Sequence, residues 1–182
     1  MGSNVKATRS ENVANTIPTK ILAEMVLMIA LASVLFFVRP FSLPQGGSPS
    51  LGAIPILLFS MRRGPKLGIM SGVIFGIIVL VLEPFVVHPL QLLLDYPLAF
   101  GALGISGFFR KHNLVGVAIG IIGRFLSHFV SGIVFFAMFA PEGMNPVFYS
   151  ALYNGSYLSI EFIVSGIVIY GLIKRRILKV YC

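Results

Sequence analysis

The chain has 182 residues, of which 57% are hydrophobic and only 11% charged, and its mean hydropathy is +0.93. A soluble domain carries about 25% charged residues, so this composition excludes both an ordinary cytosolic enzyme and a disordered chain. The 14 Lys and Arg against 6 Asp and Glu are too sparse to cover a duplex and lie between apolar runs, so the net charge of +8 reads as membrane topology, not nucleic-acid binding.

Residues 1–19 are polar and aperiodic, and read as a disordered or interfacial tail ahead of a membrane domain over 20–182. Six apolar segments follow: Ile21–Val38, Leu51–Met61, Leu67–Leu82, Pro89–Phe109, Leu114–Phe139 and Tyr149–Ile173. A membrane span needs about 17–25 apolar residues. Four segments meet that length, the third is marginal and the second is short. Continuous rather than alternating apolar runs exclude a β-barrel, so the expected fold is an all-α membrane protein of six transmembrane helices.

The basic residues support that count. Lys6, Arg9 and Lys20 precede helix 1; Arg62, Arg63 and Lys66 join helices 2 and 3; Arg110 and Lys111 join helices 4 and 5; Lys174, Arg175, Arg176 and Lys179 follow helix 6. Twelve of the 14 basic residues therefore share one side, which places both termini in the cytoplasm of a prokaryotic cell, by the positive-inside rule. Omitting the short second helix would move three of them outside. The first outer loop, RPFSLPQGGSPS (Arg39–Ser50), is rich in turn formers and suits either a lid or a plain connector.

Polar groups inside spans are costly and mark function. At about 1.5 Å per residue, Asp95 lies roughly 9 Å below the outer end of helix 4, and His128 roughly 16 Å below the outer end of helix 5. Tyr149, Tyr153, Asn154 and Tyr157 occupy the outer turns of helix 6. These groups all come to the outer half of the bilayer, from three different helices. Each has a second reading: Asp95 paired with Arg124, His128 donating to a carbonyl, the tyrosines as an interfacial belt, Asn154 as helix glue or a cap. Glu161, deeper in helix 6, faces either a ligand or Arg124, and Glu24 suits a partner or the interface. A carboxylate, an imidazole, an amide and aromatic faces together suit a small organic cation.

The sequence carries no Walker A motif, HExxH or GxSxG, and Cys182 is the single cysteine. ATP hydrolysis, metalloprotease and serine-hydrolase chemistry and a metal cluster have no support, and no cofactor is expected. An intramembrane enzyme using Asp95 and His128 is a weaker alternative, lacking a nucleophile. A binding pocket without an engine requires a partner to drive transport.

Four runs carry a resemblance: PILLFSMRRGPKLGIMSGVIFGI (Pro55–Ile77), HPLQLLLDYPLAFGALGISGFF (His88–Phe109), RFLSHFVSGIVFF (Arg124–Phe136) and APEGMNPVFYSALYNGSY (Ala140–Tyr157). In that order they resemble the thiamine-specific S component of energy-coupling factor transporters. The resemblance implies a six-helix membrane subunit that binds thiamine tightly from outside and docks on a transmembrane scaffold subunit and two cytoplasmic ATPases. It further implies that Asp95 faces the thiazolium beside Tyr96, and that His128, Tyr149 and Asn154 hold the pyrimidine and its polar neighbours. Phe136 falls where the family can carry a stacking Trp, which this chain lacks entirely, and Asp95 falls where it can carry Glu. Family docking through small residues on helix 1 implicates Ala30, Ala32 and Ser33. The same fold holding a different small vitamin or pyrimidine is the alternative.

Overall fold

The computed structural model describes residues 17–175; the tail to residue 16, Arg176, Lys179 and Cys182 lie outside them. Every regular element among the described residues is helical. The longer ones, in chain order, are α1 (Thr19–Phe36), α2 (Ala53–Arg63), α3 (Pro65–Leu82), α4 (Pro89–Phe109), α5 (Asn113–Phe135) and α6 (Pro146–Lys174). All but α2 are long and apolar enough to cross a membrane. With 11 residues, α2 is about 16 Å long, roughly half of a hydrocarbon core.

Helix starts follow their punctuation. Pro89 and Pro146 occupy first-turn positions, where a missing N–H costs nothing. The Asn145 side chain accepts from Val147 N at 2.8 Å, and His88 Nδ1 accepts from Leu90 N at 3.1 Å. The last helix therefore begins three residues ahead of the expected Tyr149, because the Asn-Pro pair caps it. Helix α5 stops at Phe135 and tightens into a 3₁₀ turn over Ala137–Phe139 instead of running on.

Helix α4 is continuous but changes pitch. Pro89–Leu93 is α-helical, Leu94–Leu98 widens to a π-turn with Pro97 inside it, and Leu103–Phe109 tightens to 3₁₀. Proline cannot donate to the preceding turn, and a π-turn accommodates the gap. Asp95 and Tyr96 sit on that widened turn.

The short helix α2 is the centre of the bundle. Every residue from Ala53 to Met61 is buried, with Phe59, Ile56 and Leu57 fully enclosed. Around it, α3 and α4 approach closely through Gly68, Gly72, Gly76 and Gly104. A Cβ on Gly72 would lie 2.2 Å from Phe100 O, and one on Gly104 2.1 Å from Ile69 N. Such contacts admit only glycine and bring the two backbones together.

Helix α1 buries a single stripe, Met25, Ile29, Ala32 and Phe36. This corrects the expected docking face: Ala30 is exposed, Ser33 is half-buried with its hydroxyl on Ile29 O at 2.9 Å, and Ala32 is fully buried. Residues two apart lie on opposite sides of a helix, so Ala30 and Ala32 cannot share one docking surface.

The two ends of the bundle differ. At one, Glu24 pairs with Arg62 and Arg63, and Gly64 lies against Arg110. Glu24 thus meets partners within its own chain. At the other end, Arg39 of the first loop holds Glu83 at the end of α3 through both guanidinium nitrogens.

Candidate functional site

A cavity of about 280 Å³ opens at the Arg39–Glu83 end, between α3, α4, α5, α6 and the first loop. Its size is near the lower limit for small-molecule pockets, roughly 300–1,000 Å³. Of the residues expected to form a site, Asp95, Tyr96, His128, Phe136, Tyr149, Tyr153, Asn154 and Tyr157 all line it. Glu161 does not: it lies behind the wall, almost fully buried.

Asp95 is held on every side. Its Oδ2 accepts from Gln91 Nε2 at 2.7 Å and Ser131 Oγ at 2.8 Å, and Oδ1 lies 2.9 Å from His128 Nδ1. Bonds of this kind fix a carboxylate's orientation. Gln91 in turn donates to Phe85 O at 3.0 Å and accepts from Val87 N at 3.1 Å, tying the loop before α4 to the carboxylate.

Arg124 does not pair with Asp95. It bonds Glu161 through one terminal nitrogen, its Nε lies 3.3 Å from His128 Nε2, and its guanidinium carbon sits 4.3 Å above the Phe100 ring. Glu161 also accepts from Ser50 N at 3.1 Å, anchoring the inner end of the first loop. A buried carboxylate on α6 therefore acts on the loop and on Arg124.

Other polar atoms are shared within the wall. The Asn154 side chain donates to Ser150 O at 3.0 Å and His128 O at 3.3 Å and accepts from the Tyr157 hydroxyl at 3.1 Å. Tyr96 donates to Glu83 O at 3.0 Å and accepts from Phe85 N at 2.7 Å. Tyr153 donates to Pro44 O and accepts from Gly47 N at 3.0 Å, which pins the first loop across the mouth. Both ring nitrogens of His128 are engaged, so what it turns to the cavity is largely its ring. Phe136 stacks on Phe85 with centroids 5.9 Å apart, extending the aromatic wall.

Sequence reasoning passed over several of these residues. Gln91 lies four residues before Asp95 and Ser131 three after His128, both helical same-face spacings that would have found them. Gln45, Gly47 and Ser48 of the first loop, Phe85 and Glu83 reach the cavity only because the chain folds back over it, and no local spacing signals them. Glu83, through its hydrogen bonds, raises the Arg39 pKa above its ordinary value and keeps that mouth residue charged.

A cavity open at one end, with Asp95 in its wall and aromatic rings about it, set among helices of membrane length, defines a multi-pass membrane protein with room for a small organic solute. The family described as thiamine transporter protein (Thia_YuaJ) matches residues 22–180, and the chain belongs to it. The chain is 40% identical over 167 residues to the thiamine transporter ThiT of Bacillus subtilis (strain 168), covering 81% of this chain and 87% of that protein. It is 28% identical over 169 residues to the thiamine transporter ThiT of Lacticaseibacillus paracasei, covering 82% of this chain and 84% of that one. The solved structure of ThiT from Listeria monocytogenes superposes with a TM-score of 0.80 at 28% identity, covering 86% of this chain and 94% of that one. The family resemblance and the cell-membrane location expected from the sequence are both borne out.

Proposed function

We propose that this chain is the tight thiamine-binding S component of an energy-coupling factor importer, capturing the vitamin from outside the cell. Charge accounting carries the reading. Glu161 takes up Arg124, and no Lys or Arg among the described residues lies against Asp95. A carboxylate in a low-dielectric wall, without a fixed cation of its own, is completed by an organic cation; thiazolium supplies one. Tyr96, Tyr149 and Phe136 offer ring faces, worth about 0.5–2 kcal/mol each to a cation. His128, Tyr149 and Asn154 flank the space for the pyrimidine, and Tyr153 and Tyr157 back it.

The topology follows from charge. With Lys20, Arg62, Arg63, Lys66, Arg110, Lys111 and Lys174 on the cytoplasmic side, both termini are cytoplasmic and the cavity opens outward. The extended stretch before α2, anchored by Ser50, together with α2 makes the sixth crossing, within a single membrane domain over 20–182. Energy comes from a transmembrane scaffold subunit and two cytoplasmic ATPases, and Ala30 and Ser33, one turn apart, are small helix-1 residues outside the buried stripe.

Isothermal calorimetry of the purified chain in detergent, without ATP, tests this. Thiamine should bind at submicromolar concentration. Absence of heat at micromolar thiamine, with heat from another vitamin in a panel, would transfer the assignment to that ligand.

A further inference from the structure

We infer that Arg124 is a positioning residue that fixes His128 as the Nδ1–H tautomer, so that the imidazole hydrogen is committed to Asp95 and the ring is held in one orientation against the cavity. The inference rests on the site reading above but on different atoms. Arg124 is 4% exposed, seated on Phe100 and clamped by Glu161. A guanidinium does not deprotonate in proteins, so its Nε is always a donor. That donor lies 3.3 Å from His128 Nε2, which must therefore present its lone pair. The imidazole hydrogen is then on Nδ1, donated to Asp95 Oδ1 at 2.9 Å.

The other tautomer would place its hydrogen on Nε2, head-on to the Arg124 N–H, and turn a lone pair on Nδ1 toward the Asp95 carboxylate. The two contacts, on opposite sides of the ring, therefore select the same form.

The test uses the full-length protein in detergent, labelled with ¹⁵N-histidine. The chain has 3 histidines, and spectra of His88→Asn and His112→Asn variants identify the His128 signals. The expected wild-type spectrum at about pH 8 shows His128 with a bonded hydrogen on Nδ1 and a lone pair on Nε2. In Arg124→Lys, which keeps a cation for Glu161 but loses the planar fork, the Nε2–H form should appear beside it. With the competent form reduced to about half, thiamine affinity of that variant should fall about twofold. Glu161→Gln, which leaves Arg124 Nε in place, should retain the tautomer. A hydrogen on Nε2 in the wild type, or an unchanged Nδ1–H form in Arg124→Lys, would overturn the inference. Failure of thiamine to bind the wild type would defeat the proposed function instead, while the histidine spectra would still decide this point.

Discussion

Asp95→Asn is the sharpest perturbation of the site. It keeps the shape of the side chain and removes its charge. The carboxylate is 14% exposed and already holds three donors. Unit charges about 4 Å apart at an effective dielectric near 20 attract by about 4 kcal/mol. Part of that is offset by stripping water from the ligand, and the new amide must also turn its own donors away from Gln91. A net loss of at least about 1.4 kcal/mol, tenfold in affinity, remains for thiamine. A neutral pyrimidine fragment lacks the cation and should bind the variant and the wild type within about twofold. Calorimetry with both ligands reads the difference directly. Equal losses for the two would show that Asp95 holds the wall together rather than the cation, and unchanged thiamine affinity would remove the charge argument altogether.

Three further outcomes follow from the same contacts. Glu161→Gln strips the partner from a buried guanidinium and should cost about 3–5 kcal/mol, seen as a lower unfolding temperature in detergent. Gly72→Ala places a methyl 2.2 Å from Phe100 O and should destabilise by about 1–3 kcal/mol, whereas Gly171→Ala, with open space around it, should be neutral or stabilising. Tyr153→Phe frees Pro44 O and the Gly47 N–H. Hydrogen exchange at Gly47 should then accelerate and the ligand should leave faster, with Asp95 untouched; unchanged exchange would mean that Tyr153 does not secure the loop.

Much of this protein was legible before any coordinates. Long apolar runs admit only helices in a bilayer, since every backbone group must find its partner within the segment. The polar residues that interrupt them are few enough to name, and eight of the nine expected site residues do line the cavity. The expectation of a working carboxylate also came from the sequence, because a carboxylate is too costly in such a place without a purpose.

What sequence periodicity does not contain is which of two neighbours a charge selects. Asp95 and Glu161 were both available to Arg124, and only the packing of α5 against α6 assigns the guanidinium to Glu161 and leaves Asp95 to His128. The burial of Ala32, the π-turn around Pro97 and the return of the first loop onto Tyr153 were equally hidden. Each depends on the rotation of one helix about its axis or on contacts more than a hundred residues apart. The sequence by itself determined what kind of groups lie at what depth, since hydrophobicity and charge are local properties; tertiary structure alone decided which of them face one another, since that is a property of the assembled bundle.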